Sequence, residues 1–390
     1  MSSDTKRIAF CGTRGLPANY GGFETAVDEI SKRFVANGHG CDVFCRGSRR
    51  EGEVAEFEGR KLIYVTGSKH RSLDTFVSAF QTGWRLFRNR RDYRHAFWFN
   101  NANLPGILMT WFAGIPMSVN TDGLEWRRAK WSWPFKLYYL AASFLVACIS
   151  RRLISDSVAI QRFYRKHFLT RSFMIPYGAP DAHEMEDFES VSLLSRYGLR
   201  PDKYFLQITR FEPDNLPLET ARAFTESRLS IKGYKMVLVG FRDATPYAMA
   251  VKSLDGESGV VVLNAIYESK ILTALRGNCY CYVHGNSVGG TNPALLEAMA
   301  SSPRIMAIDC EFSREVLGTL GLCFDPKNIV PMYKNAAHAP DQRAQLSERV
   351  RQQYQWEAVA KAYMQLVERG TAIYRPVNPS LRKEPAPGRF

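Results

Sequence analysis

The segment HGNSVGGTNPALLEAM, which begins at His284, combines residue types suited to holding an anion. Gly289 and Gly290 would let backbone amides approach a ligand closely, because glycine carries no Cβ. The loop leads into a helix predicted over Ala294–Ala300, and the N-terminus of a helix favours negative charge. Glu297 lies one turn inside this helix, where its carboxylate can accept hydrogen bonds from sugar hydroxyls. The alternative is an ordinary helix start, with the glutamate placed for the helix dipole and the histidine satisfied at a strand end.

Two further segments place glycine or arginine where an anion could bind. GTRGLPANYGGFETAVDEIS carries Gly21 and Gly22 at the start of a helix predicted over Glu24–Asn37, although its spacing is neither a dinucleotide fingerprint nor a P-loop. ITRFEPDNLPLETARAF carries Arg210 directly after a predicted strand. A guanidinium matches the paired oxygens of a diphosphate. The alternatives are a flexible turn in the first segment and, in the second, a surface arginine paired with Glu212.

A fourth segment, residues 120–152, mixes acidic, basic and aromatic side chains. Asp122 and Glu125 follow an apolar strand predicted just before them. From Trp126 onward, arginines and lysines alternate with tryptophan, phenylalanine and tyrosine, a composition typical of a helix on an anionic membrane surface. The alternative is a core helix with a solvated basic cap.

The bulk composition limits the classes of function. A chain of 390 residues is longer than one compact core usually holds, which predicts two domains. Lysine and arginine number 52 against 38 acidic residues, and the resulting charge of +14 attracts polyanions. Nucleic acid, anionic lipid and phosphorylated small molecules are all candidates. No recognised nucleic-acid motif accompanies the charge, so we do not expect a nucleic-acid partner.

The cysteines and the uncharged stretches point to a reduced protein without a membrane span. Most of the eight cysteines lie in apolar, strand-like contexts. The pairs Cys41/Cys45 and Cys279/Cys281 lack the ligand spacing and partner histidines of a zinc site. Residues 96–121 carry no charge but are interrupted by asparagine and proline, which favours strand, loop and buried helix over a span. We therefore expect reduced thiols, no metal site and no transmembrane helix.

Short apolar strands alternate with helical patterns in two successive runs. The first run begins at Ile8–Gly12, the second includes Tyr204–Ile208, and they separate near Pro176–Pro180. This alternation predicts an α/β protein with two Rossmann-like domains and parallel sheets facing a cleft. Ligands of such sheets bind beyond the carboxyl ends of the strands, where the four segments lie. A last helix is predicted over Trp356–Arg369.

Several motifs occur in the same order as in bacterial rhamnosyltransferases of cell-surface polysaccharide synthesis. They are GTRGLPANYGGFET, VNTDGLEWRRAKW, ISDSVAIQRFY, IPYGA, TRFEPDN and HGNSVGGTNPALLEAM. From Ile8 to about Leu366 the chain resembles these retaining glycosyltransferases of family 4. The resemblance implies a GT-B fold. The implied parts are an acceptor domain 1–178, a nucleotide-sugar donor domain 179–355, a C-terminal helix 356–375 packing back on the N-terminal domain, and a polar tail 376–390.

The resemblance also implies roles for individual residues. Glu297 resembles the glutamate that holds the nucleotide ribose, and Arg210 resembles the arginine on the donor diphosphate. Gly21–Gly22 resembles the loop that closes over the diphosphate. The chain departs from the family at Asn215, where a lysine is usual, and at Gly289, where a first glutamate is usual. These departures weaken the usual picture of donor binding and suggest a changed sugar pocket.

We expect Asp122, Arg210 and Glu297 to be the catalytic group, with Asp122 nearest the acceptor hydroxyl and Glu125 second to it. Thr291 and Asn292 are the expected substitute contacts to the sugar. The donor-binding set is Gly21, Gly22, Arg210, Asn215, His284, Gly289, Gly290, Thr291, Asn292 and Glu297. The acceptor-side set is Arg14, Asn19, Tyr20, Glu24, Asp122 and Glu125.

The implied activity is transfer of a sugar, with L-rhamnose from dTDP-L-rhamnose expected, to a polyprenyl-diphosphate-linked or other glycan acceptor. The protein would then lie peripherally at the cytoplasmic face of the membrane, held through residues 126–152. No cofactor or metal is expected, because Arg210 and the helix ends would carry the diphosphate charge. The alternative, which Gly289 and Asn215 favour, is a catalytically silent subunit that binds a nucleotide sugar and scaffolds a polysaccharide assembly complex.

Overall fold

The computed structural model of the chain describes residues 6–18, 21–47, 55–68, 73–121, 123–128, 131–179 and 187–375. Its described residues divide into two compact units. The first contains the residues up to Arg127, residues 131–178 and residues 356–375, and the second contains Arg128 and residues 179–355. Asn19, Tyr20 and Asp122 lie outside the described residues.

Strands and helices alternate along both units. The strands are β1 (Arg7–Cys11), β2 (Cys41–Arg46), β3 (Glu56–Phe57), β4 (Arg60–Val65), β5 (Tyr93–Phe99), β6 (Met117–Asn120), β7 (Leu153–Ser155), β8 (Ser172–Met174), β9 (Tyr204–Ile208), β10 (Lys235–Phe241), β11 (Val260–Asn264), β12 (Cys281–His284), β13 (Ile305–Ile308) and β14 (Leu322–Phe324). The helices are α1 (Gly22–Ala36), α2 (Asp74–Arg88), α3 (Leu104–Phe112), α4 (Trp133–Ile149), α5 (Val158–His167), α6 (Asp187–Ser195), α7 (Pro217–Ser227), α8 (Pro246–Lys252), α9 (Ser269–Gly277), α10 (Pro293–Ser301), α11 (Glu311–Leu317), α12 (Val330–Ala336), α13 (Arg343–Gln353) and α14 (Trp356–Arg369).

The first unit is built on a sheet of strand order β3-β4-β2-β1-β5-β6-β7-β8. β3 pairs antiparallel with β4, and the neighbours from β4 to β8 pair in parallel. Its central strands read as nearly continuous apolar runs because helices cover both faces of such a sheet. The C-terminal helix α14 belongs to this unit. Its Tyr363 ring lies 5.1 Å from that of Phe97, and its hydroxyl accepts a hydrogen bond from Asn120 Nδ2 at 3.2 Å.

The second unit holds a parallel sheet of order β11-β10-β9-β12-β13-β14. Its core is apolar and aromatic. Phe205 of β9 packs edge-on against Tyr333 of α12, with ring centroids 5.1 Å apart. The carboxyl ends of β9 and β12, which are neighbours in this sheet, therefore place their following loops side by side.

None of the described helices is long and apolar enough to cross a bilayer. The uncharged residues 96–121 form strand, helix and strand instead. The cysteines are free thiols; Cys148 and Cys323 are exposed, Cys310 is half-buried, and those in or beside β1, β2 and β12 are buried. Within the described part of the chain, no cluster of His, Cys, Asp and Glu is positioned to hold a metal ion.

Candidate functional site

The loop between β12 and α10 has the geometry of a ligand-facing backbone. Asn292 caps the helix, its Oδ1 accepting a hydrogen bond from Ala294 N at 3.0 Å, and Pro293 fills the first helical position. Gly289 has φ +153°, a conformation that side-chain-bearing residues rarely adopt, and no atom lies within 4 Å of its would-be Cβ. The backbone at Gly289 therefore borders open space and depends on glycine.

Four of the residues assigned to the donor line one pocket at the carboxyl end of the sheet. His284, Gly289, Gly290 and Asn292 contribute to it, together with Asn286, Val288, Leu295, Phe312, Ser313 and Val316. Thr291 is buried beside them. Burial lowers the pKa of His284 to about 4, so its imidazole is neutral at neutral pH. The pocket thus combines glycine backbone and neutral polar groups with an apolar wall.

Arg210 lies on the neighbouring loop, just after β9. Its side chain is 65% exposed, and its Nη1 stands 3.9 Å from Glu212 Oε1. That separation is too long for a hydrogen bond, and an exposed pair of this kind contributes little, about 0–1 kcal/mol. The alternative pairing of Arg210 with Glu212 is therefore present only at a long distance, and the guanidinium remains accessible to an anion.

The two loops are joined by hydrogen bonds within the second unit. Thr209 Oγ1 donates to Asn286 Oδ1 at 3.1 Å, and Ser287 donates to Asp214 O through both its amide, at 3.0 Å, and its hydroxyl, at 2.9 Å. A Cβ on Gly285 would collide with the carbonyl oxygen of Asn215. The loop that carries Arg210 and the glycine loop therefore form one continuous surface.

Asn215, which was predicted to contact the donor, is hydrogen-bonded to the turn that carries Arg210. Its side chain is buried, and Nδ2 donates to the carbonyl oxygen of Arg210 at 2.9 Å. Its own carbonyl accepts from Gln207 Nε2 at 2.8 Å. The side-chain amide and the backbone carbonyl of Asn215 are thus both hydrogen-bonded inside the second unit. Asn215 therefore stabilises the turn that carries Arg210, and its contact with the donor stays a prediction.

Two arginines near this site were not predicted to belong to it. Arg276, in the last turn of α9, forms a close ion pair with Glu297 of α10. Arg128 belongs to the second unit, and its Nη2 lies 3.3 Å from Val288 O while its Nη1 lies 3.9 Å from Glu212 Oε2. Arg128 had been assigned to the basic membrane-facing stretch, but its side chain is only 11% exposed. Only the folded contacts distinguish it from Arg127, which is exposed.

The acceptor-side residues of the first unit lie in a different setting. Glu24, in the first turn of α1, is buried and accepts a hydrogen bond from Arg14 N at 3.0 Å. Gly21 precedes that helix in an extended conformation, and Gly22 begins it. Glu125 is also buried, and its Oε2 accepts from Trp131 Nε1 at 2.7 Å. Both carboxylates therefore accept hydrogen bonds from groups of the first unit.

The stretch 126–152 contains a helix with two contrasting faces. Tyr139, Ala142, Ser143 and Val146 of α4 are buried in the first unit. Trp133, Leu137, Leu140 and Phe144, which recur at helical spacing, are exposed, Trp133 by 74%. The helix therefore has a core face, as the alternative interpretation required, and an apolar stripe on its outer surface.

Comparison with known proteins identifies the fold. Residues 5–180 match a domain of unknown function, DUF1972. No curated protein matches the sequence.

Three solved structures illustrate the structural likeness. Sucrose-phosphate synthase from Thermosynechococcus elongatus aligns with a TM-score of 0.73 at 16% identity, over 93% of this chain and 98% of that one. HepE from Anabaena in complex with UDP-glucose aligns with a TM-score of 0.73 at 14% identity, over 93% of this chain and 99% of that one. The trehalose 6-phosphate synthase from Burkholderia multivorans aligns with a TM-score of 0.64 at 12% identity, over 93% of this chain and 98% of that one. The predicted fold class is thereby confirmed: the chain has the GT-B fold, with two α/β domains built on parallel sheets.

Proposed function

We propose that this protein is a retaining glycosyltransferase that moves a sugar from a nucleoside diphosphate to a glycan acceptor. The observation that carries the proposal is the joined surface of the second unit, where Arg210, the Gly289–Gly290 loop and Glu297 come from neighbouring elements. The GT-B fold, shared with HepE, whose complex contains UDP-glucose, supports the same assignment.

The chemistry requires charge stabilisation at the leaving group. The bond between the sugar C1 and the diphosphate oxygen breaks and a bond to the acceptor oxygen forms. The nucleoside diphosphate departs with the electron pair of the broken bond and takes up the proton that the acceptor hydroxyl loses. Arg210 and Arg128 flank Glu212 from two sides and supply guanidinium groups, and the glycine loop supplies amides. Asp122 is the proposed group nearest the acceptor hydroxyl. We expect turnover to persist in the presence of EDTA, and its loss would contradict this assignment of the charge.

We propose dTDP-L-rhamnose as the donor. Gly289, with its positive φ, replaces the carboxylate that would bind hydroxyls of glucose or mannose. Leu295, Phe312 and Val316 line the adjoining pocket and suit the methyl group of a 6-deoxy sugar. Measured turnover with a panel of nucleotide sugars tests this choice, and faster transfer from UDP-glucose than from dTDP-L-rhamnose would overturn it.

We propose that the acceptor is a glycan on a membrane lipid, approached through the apolar stripe of α4 with its basic neighbours. Sedimentation with vesicles containing anionic lipid is expected to fall as salt rises. Leu137→Ser should weaken it, while Ile231→Ser, at an exposed apolar position of the second unit, should not. Sedimentation that ignores both lipid charge and Leu137→Ser would contradict the membrane contact.

The site itself is tested by Arg210→Ala and Glu297→Ala, with Arg314→Ala as the matched control. Arg314 is a similarly exposed arginine of the same unit, paired with Asp309. We expect both site variants to lose most turnover and the control to retain it. Unchanged turnover in both site variants would refute the assignment.

A second candidate is a silent subunit that binds a nucleotide sugar without transferring it. The inward-facing Asn215 and the missing carboxylate at Gly289 favour it. Slow hydrolysis of the donor in the absence of acceptor would exclude it, whereas donor binding with neither hydrolysis nor transfer would support it.

A further inference from the structure

The ion pair between Arg276 and Glu297 joins two neighbouring helices of the second unit and is largely shielded from solvent. The side chain of Arg276 is 9% exposed and that of Glu297 is 26% exposed. Nη2 of the arginine donates to Oε2 of the glutamate, and within the described residues Nε of the same guanidinium has no hydrogen-bond partner. Burying a charge with an unsatisfied donor is unfavourable, and apolar residues often stabilise such positions as well or better.

Glu297 lies close to the helix end and glycine loop that are proposed to bind the diphosphate. It lies on α10, one turn from the helix start at Pro293, about 6 Å along the axis. The amide end of this helix and the glycine loop favour an anion. An uncompensated carboxylate this close would repel a diphosphate, whereas a carboxylate held by a guanidinium is neutral as a pair.

We propose that Arg276 is a positioning residue of the nucleotide site, which fixes the Glu297 carboxylate and cancels its charge beside the donor diphosphate. This inference rests on the proposed function and on the role that the resemblance implies for Glu297, whose carboxylate would accept a hydrogen bond from the free 3′-hydroxyl of the dTDP sugar. Arg276 acts through Glu297 and does not touch the donor. Removing it should therefore matter only while Glu297 is charged.

A double-mutant cycle on the dissociation constant of dTDP tests this dependence, using the full chain and isothermal titration. Arg276→Gln is expected to weaken dTDP binding about tenfold or more in the wild-type background, since a charge-assisted hydrogen bond is lost and a charge is exposed. In the Glu297→Gln background the same change should alter binding by less than about twofold. Arg276→Lys keeps the positive charge and should weaken binding less than Arg276→Gln does.

Arg304→Gln is the control for loss of a half-buried arginine in the same unit. Arg304 donates to Ala339 O at 2.8 Å and stacks on Tyr280, outside the candidate site. It should lower the melting temperature without changing dTDP binding. If Arg276→Gln does not fold, the cycle is run with Arg276→Met, which also removes the charge and keeps an unbranched side chain.

Wild-type-like binding by Arg276→Gln, or an equal loss in both backgrounds, would overturn the role of Arg276 while leaving the proposed function intact. Failure of the wild-type protein to bind dTDP, UDP, GDP or ADP would instead overturn the proposed function, and this inference with it.

Discussion

The carboxyl ends of the two sheets differ in how far side chains cover them around Gly12 and Gly289, although both sheets are built from parallel βα units. In the first unit, Arg46 Nη2 lies 3.3 Å from both Gly12 O and Asn103 Oδ1, and Asn103 Nδ2 donates to Phe99 O at 2.8 Å. In the second unit, Arg210 is exposed and Gly289 faces open space. Side chains close the edge around Gly12, whereas the edge around Gly289 is left open. The edge around Gly289 is therefore accessible to a ligand because its loop residues are small or point outward.

The largest expected effect is on turnover, at Arg210. Arg210→Ala should lower the rate of sugar transfer by about 10²- to 10³-fold, because a charge that stabilises the leaving group is removed. The unfolding free energy should change by less than about 0.5 kcal/mol, since the side chain is exposed. Steady-state kinetics and urea unfolding measure the two. A large loss of unfolding free energy in Arg210→Ala would contradict the comparison, because it would show that Arg210 supports the fold as the side chains around Gly12 do.

A pair of glycine substitutions compares the closed and the open edge directly. Gly12 has φ +91°, and a Cβ there would lie 2.5 Å from the carbonyl oxygen of Phe99. Gly12→Ala should therefore cost about 2–4 kcal/mol of unfolding free energy. Gly289→Ala should cost about 1–2 kcal/mol, since only the backbone is strained. Gly38→Ala, with φ +82° and open space, controls for that strain. Equal losses at Gly12 and Gly38 would refute the contrast.

The buried His284 makes stability depend on pH. Its folded pKa, about 4, lies below the ordinary value of 6.5 because burial penalises the charged form. The unfolded chain therefore binds a proton that the folded chain does not, so stability is present above pH 6.5 and is lost as pH falls toward 4. Between pH 7 and pH 5 this histidine should account for a loss of about 2 kcal/mol.

Urea unfolding of His284→Gln at both pH values checks this contribution, because the amide does not titrate. The loss between pH 7 and pH 5 should shrink by about 2 kcal/mol relative to wild type. His95 in the first unit, whose pKa burial lowers to about 3, remains in both proteins and serves as the internal reference. An unchanged loss would mean that His284 is not buried as neutral imidazole.

The smallest expected effect concerns the outer face of α4. Phe144→Ser should change the unfolding free energy by less than about 0.5 kcal/mol, since that ring is half exposed. Val146→Ser on the buried face of the same helix should cost about 1–3 kcal/mol. Thermal unfolding of the two variants separates the faces. A larger loss at Phe144 would mean that the stripe is covered by protein.

Periodic sequence patterns predicted the helices and strands because the buried face of each element repeats apolar residues at that element's own spacing. The helix predicted over Trp356–Arg369 has those bounds, and the helix predicted over Ala294–Ala300 extends one residue further at each end. The same patterns predicted that Arg210 follows a strand and that Glu297 lies one turn inside a helix, as the structure has them. They did not reveal the role of Arg276, because an arginine in the last turn of an amphipathic helix also suits the helix dipole.

The sequence by itself determined the α/β order, the glycine loop and the helix that follows it, since these depend on residue periodicity and on backbone freedom over a few positions. Only the tertiary structure decided that Asn215 faces inward, that Arg128 is mostly buried and that Glu297 pairs with Arg276. The reason is physical. A long polar side chain chooses its partner among groups brought together by packing, and no local pattern specifies which of them lies within hydrogen-bond distance.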